Sequence, residues 1–161
     1  MKNENLTIDL EKAKELFKRP ESIKEALIAQ FGINQLSENI LDKVPTFEAA
    51  FALASKEIQK EYNDTVNENT PPHIVGEAQL IVIISVINEG WRADFENADQ
   101  RKWLPIHQVL PSGVGFGRSG SVYDRSNTFV GVRLLLENEE KSNYVGKTFI
   151  TQYTKMYTYN K

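Results

Sequence analysis

The sequence predicts an α+β protein with N-terminal helices, a central buried helix, a small antiparallel sheet and a C-terminal helix. Three observations carry that expectation. Apolar residues recur at helical spacing through the first sixty residues, a run at 74–88 is apolar on nearly every side, and residues 103–136 interleave β-branched and aromatic stretches with Pro, Gly and Ser turn chemistry. At 161 residues and 40% hydrophobic content the chain is long and apolar enough to bury a core of its own.

The N-terminal elements follow from local signals. Residues 9–18 place Leu10, Ala13, Leu16 and Phe17 on one helical face, and Pro20 stops that helix. Ser22 and Glu25 form a capping-box pattern for a second helix that runs to Phe31 and ends at Gly32. Residues 37–42 suggest another turn. Thr46 is a good N-cap for a helix over 47–58, whose Phe47, Ala50, Phe51, Ala54 and Ile58 make an apolar stripe. The polar, Pro-Pro-containing stretch 63–72 then reads as the boundary between a helical region over 1–62 and an α+β domain over 74–161, the two packed together.

Residues 74–88 are too many for an ordinary strand, and Asn88-Glu-Gly90 has the chemistry of a helix end with Gly90 left-handed, so a buried helix is expected. Residues 91–101 read as an ordered loop. Strands are expected over 103–110, 113–116 and 128–136, and a helix over 137–157 that lines up Tyr144, Val145, Phe149, Tyr153, Met156 and Tyr157.

Composition excludes several chemistries. The absence of cysteine removes disulfides, thiolate metal sites and cysteine nucleophiles, and it fits a reducing compartment such as a host cytoplasm or a phage particle assembled there. The N-terminus carries no apolar signal-peptide core. The longest apolar run, Leu80-Ile-Val-Ile-Ile84, is far below the roughly 20 residues of a membrane span, so no membrane association is expected. A net charge of −3 with interspersed signs gives no global attraction to nucleic acid, so such binding would need a local patch.

No catalytic set, metal site or cofactor is expected. His73 and His107 have no second histidine at helical or hairpin spacing. The acids Asp94, Glu96 and Asp99 lack the twelve-residue spacing of a calcium loop. Gly113-Val-Gly-Phe-Gly117 lacks the Lys-Ser/Thr of a phosphate loop, and no serine sits in a G-x-S-x-G elbow. What remains is a basic and aromatic set around Gly117 to Asn127. Trp103, Phe116, Arg118, Tyr123, Arg125 and Asn127 are the candidate binding residues, with Arg101, Lys102, Phe129 and Arg133 nearby. Tyr, Trp and Arg dominate protein interfaces, and aromatic faces beside arginines also stack single-stranded bases. The same aromatics can instead face the core and the arginines pair with neighbouring acids.

Several segments resemble an uncharacterised family found in phages, prophages and mobile elements of Bacteroides-group bacteria. They are Thr46-Phe-Glu-Ala-Ala50, Ile87-Asn-Glu-Gly-Trp91, Asn97-Ala-Asp-Gln-Arg-Lys-Trp103 with Pro105, Ser112-Gly-Val-Gly-Phe116, Val130-Gly-Val-Arg-Leu134 and Asn143-Tyr-Val-Gly-Lys-Thr-Phe149. This resemblance implies a phage or mobile-element origin and assigns no residue a role. Separately, Tyr123-Asp-Arg-Ser-Asn-Thr-Phe-Val-Gly-Val-Arg-Leu134 is similar to the closing strands of C-type-lectin-like domains of the formylglycine-generating type, which implies a ligand-binding face there. The sequence thus points to a non-enzymatic protein that binds a macromolecular partner through a Gly/Arg/aromatic-rich loop. The alternatives are a single-stranded nucleic-acid-binding protein and a virion or assembly component that oligomerises through its N-terminal helices.

Overall fold

A computed structural model describes residues 8–18, 23–109, 116–125 and 132–157. The fold is α+β: helices dominate, and the sheet among the described residues is one antiparallel pair. The chain divides into two compact units, residues 1–43 and 44–161. The division lies upstream of the expected boundary at 63–72. The physical reason is that the two helices before that stretch pack on the apolar helix after it, so all three belong to one core.

The first unit contains α1 (Leu10–Phe17), α2 (Lys24–Phe31), α3 (Ile33–Leu36) and α4 (Ile40–Lys43). Asp9 caps α1 by accepting the Lys12 amide at 2.8 Å. Ser22 of the expected capping box lies outside the described residues, and α2 starts after Ile23 with no side-chain cap. Gly32 ends α2 with φ +76°, the left-handed conformation that glycine adopts without a Cβ penalty. Ala13, Leu27 and Leu36 form a small core, with Leu16, Phe17 and Phe31 packed around it.

The second unit begins with α5 (Phe47–Leu53) and α6 (Lys56–Thr65). Thr46 caps α5 as expected, accepting the Ala49 amide at 3.2 Å. The single helix expected over 47–58 is instead two. Ala54 is extended at φ −67°, ψ 150°, and Ser55 caps a fresh helix through the Ile58 amide. Gln59 closes the break by donating its amide to Ala54 O at 3.1 Å and to Phe51 O at 2.9 Å, the latter shared with the Ala54 amide.

The expected central helix is α7 (Pro72–Ile87), with Pro72 at its first position, where a missing N–H costs nothing. Leu80, Val82, Ile83, Ile84 and Ile87 are all buried. It packs most extensively on α9 (Ile150–Tyr157), and Gly76 sets their approach: a Cβ there would lie 2.7 Å from Gln152 O and 2.8 Å from Met156 N. After α7, Gly90 is left-handed at φ +92°, as expected. Buried Asn88 pins this end, donating to Leu135 O at 2.8 Å and accepting the Glu137 amide at 3.3 Å.

Two further expectations differ from the structure. In place of a strand over 128–136, Val132–Leu134 form a 3-10 turn and Leu136 makes an isolated bridge to Trp103, while residues 128–131 lie outside the description. In place of one helix over 137–157 there are α8 (Glu139–Thr148) and α9, broken at Phe149 with φ −110°, ψ 31°. Thr148-Phe-Ile-Thr151 is rich in residues of poor helix propensity, and burial of Phe149 rewards the break.

Candidate binding surface

The two strands, β1 (Lys102–Val109) and β2 (Phe116–Asp124), pair in a register that sets Trp103 opposite Tyr123, Pro105 opposite Ser121 and Ile106 opposite Gly120. The region expected as a display loop from Gly117 is therefore strand as far as Asp124. Its glycines and serines are poor strand formers, but pairing with the β-branched and aromatic β1 overrides local preference.

The ladder's hydrogen-bond phase follows from one contact. Trp103 exchanges both backbone bonds with Leu136, at 3.0 and 2.8 Å, on the side away from β2. Trp103 and Tyr123 are thus a non-hydrogen-bonded pair, the kind that brings side chains closest. Pro105, two residues on, has the same phase. Its missing N–H falls on the margin where β2 needs no donor, which is why a proline sits inside this strand.

One face of the hairpin is covered by helices. Ser121 Oγ donates within reach of Ser142 Oγ at 2.8 Å and Asn143 Oδ1 at 3.0 Å on α8. His107 Nε2 lies 3.1 Å from Gly146 O, and its ring sits 4.6 Å from that of Tyr153 on α9. Burial pushes the His107 pKa down, and the Gly146 carbonyl opposes that shift without overcoming it. Burial also raises the Tyr153 hydroxyl, whose oxygen has no hydrogen-bond partner among the described residues. The opposite face carries Ile106 at 50% exposure and Val122 at 42%.

Lys102 is 1% exposed at the end of this opposite face. Its ammonium donates to the carbonyls of Asn97 (3.3 Å), Gln100 (3.0 Å) and Arg125 (2.9 Å) and lies 5.1 Å over the Phe95 ring. Lys102 therefore ties the 91–101 loop to both strands instead of presenting a charge to a ligand. In that loop Asp94 and Asn97 accept the amides two residues on, at 2.9 Å each, so these side chains shape turns. Among the described residues no group of three His, Asp or Glu is placed to hold a metal ion.

Of the candidate residues, the structure brings Trp103 and Tyr123 together, with ring centroids 4.9 Å apart. It adds Arg101, whose guanidinium lies 4.9 Å over the Tyr123 ring. Tyr123 is 42% exposed and Trp103 is half-buried. Arg125 is exposed one residue beyond the end of β2, and its carbonyl receives Lys102. Phe116 and Arg118 are β2 residues in register with Val109 and Gln108, at the far end of the ladder from Tyr123. Asn127 and Phe129 lie outside the described residues. Arg133 leaves the set: it forms a two-pronged ion pair with Glu61 of α6, which lowers the Glu61 pKa through hydrogen bonding.

Sequence reasoning missed the roles of Lys102 and Ser55. The charge of Lys102 masked its burial, and Ser55 lay within an apolar stripe that read as continuous. Among the described residues no helix is long and apolar enough to cross a membrane. Compared with known protein families, curated proteins and solved structures, the chain matches none.

Proposed function

We propose that this chain is a non-enzymatic phage or mobile-element protein of the host cytoplasm or the phage particle, and that it binds another protein through Arg101, Trp103, Tyr123 and Arg125. The observation that carries this reading is the Arg101–Tyr123–Trp103 stack. A half-exposed tyrosine is held at 4.9 Å by a tryptophan and at 4.9 Å by a guanidinium, on paired strands that fix its position. An aromatic already ordered by its neighbours loses little rotamer freedom on binding, and Tyr, Trp and Arg supply most interface hot spots. The resemblance to phage and prophage proteins supplies the biological setting.

The test is affinity capture from host and phage lysate with wild-type and Tyr123→Ala/Arg125→Ala baits. Partners seen with wild type are expected to disappear from the double variant. A variant that keeps every wild-type partner sinks the reading.

The same stack favours a second reading, a single-stranded nucleic-acid binder, because a guanidinium beside an exposed aromatic ring is how such proteins engage bases and backbone together. Fluorescence anisotropy with a labelled oligonucleotide decides it. Affinity that falls steeply with salt supports counterion release by Arg101 and Arg125, and no binding at low salt ends the idea.

A further inference from the structure

An open cleft of about 140 Å³ lies between α6 and α7. Each helix gives it one stripe. Ile58, Glu61, Tyr62 and Thr65 recur at the spacing of a single face of α6, and Ile74, Glu77 and Ile81 do the same on α7. Contacts outside the cleft hold its α6 wall in place: the Tyr62 ring packs on Phe47 at 5.1 Å and on Phe51 at 5.5 Å, and Arg133 grips both carboxylate oxygens of Glu61.

Glu77 sets the charge of the cleft. It is the one Asp, Glu, Lys or Arg among the sixteen residues of α7, and it lies beyond the first turn, where the helix dipole no longer favours an acid. Glu61 already has its counter-charge in Arg133, whereas Glu77 has no hydrogen-bond or ion-pair partner among the described residues. Apolar walls thus meet one uncompensated negative charge.

We propose that this cleft binds a free linear primary alkylammonium, with the carbon chain against Ile58, Ile74 and Ile81 and the ammonium on the Glu77 carboxylate. Size sets the chain length: a cavity of roughly 150 Å³ holds one benzene molecule, so the cleft suits a ligand of about six heavy atoms such as n-pentylammonium. Burial of the chain supplies affinity, and the charge-assisted bond to Glu77 selects the cation over a neutral or anionic ligand of the same length. The cleft shares no residue with the Arg101, Trp103 and Tyr123 stack, so this proposal and the partner-binding reading fail separately.

Amide chemical-shift titration of the full chain with n-pentylammonium tests it, alongside pentanol and pentanoate, which keep the chain and change the charge. Saturable binding of the amine is expected, with pentanol at least about fivefold weaker and pentanoate not binding. Glu77 is exposed, so Glu77→Gln leaves the fold intact; it is expected to weaken the amine by about fivefold or more and to leave pentanol unchanged. Asp64→Asn removes an acid of α6 that does not line the cleft, and the affinity should stay as it was. A wild type with no saturable response up to about 10 mM amine overturns the proposal. So does pentanol that binds as tightly as the amine, or a Glu77→Gln protein that keeps the wild-type affinity or loses no more than Asp64→Asn does. Nα-acetyllysine amide binding more tightly than n-pentylammonium also overturns it, in favour of a lysine side chain from a partner.

Discussion

Helix α7 and the β1–β2 hairpin place apolar side chains in opposite ways. In α7 Leu80, Val82, Ile83, Ile84 and Ile87 are buried while Ile74, Val75, Ile81 and Val86 are partly buried, and Gly76 lets α9 approach until no room remains for a methyl group. In the hairpin one face is sealed by hydrogen bonds and ring contacts to α8 and α9, while the other leaves Ile106 and Val122 in the open. Of the two elements, α7 holds the more deeply buried apolar side chains, and the hairpin keeps apolar side chains exposed.

Substitutions can break this contrast in order of size. Ile83 is fully buried on α7, so Ile83→Ala is expected to cost about 2–5 kcal/mol of unfolding free energy, measured by urea denaturation. Gly76→Ala gains about 1 kcal/mol of helix propensity but drives a methyl into the α9 backbone; a net loss of about 1–3 kcal/mol is expected, with a lower Tm. A Gly76→Ala protein as stable as wild type would show that α9 can yield at this contact.

The sealed face of the hairpin is expected to respond to pH. Burial lowers the His107 pKa in the folded protein, so the unfolded chain takes up the proton first as pH falls. The stabilisation is complete above about pH 6.5, the ordinary imidazole value, and is lost as pH falls from there toward the lower folded value. Tm should therefore drop across that window in wild type, and His107→Gln should flatten that part of the profile. The smallest effect belongs to the open face: Val122→Ser is expected to change monomer stability by no more than about 0.5 kcal/mol, measured at high dilution.

How far the sequence disclosed this arrangement depended on whether the signal was local. Helix α7 was legible because length, apolar content and Gly90 all agreed. Thr46 and Gly32 were legible because caps act within a few residues. Residues 117–124 were not, since glycine and serine there take their strand conformation from the partner strand and not from themselves. The breaks at Ala54 and Phe149 were hidden for a related reason: each is repaired from outside the helix it ends, by the Gln59 amide in one case and by core burial of the phenyl ring in the other. Within the binding set, Trp103 and Tyr123 fell together because their register is fixed by β1. The Glu61–Arg133 pair joins residues 72 positions apart, and nothing in the sequence announces it.

Pro105 has a further consequence for how this sheet can grow. On the β1 side the ladder can be continued at Trp103, where Leu136 already sits, but the next position offers no donor and any strand laid along it meets a gap. Growth on the β1 side is therefore confined to the single bridge that Leu136 already makes.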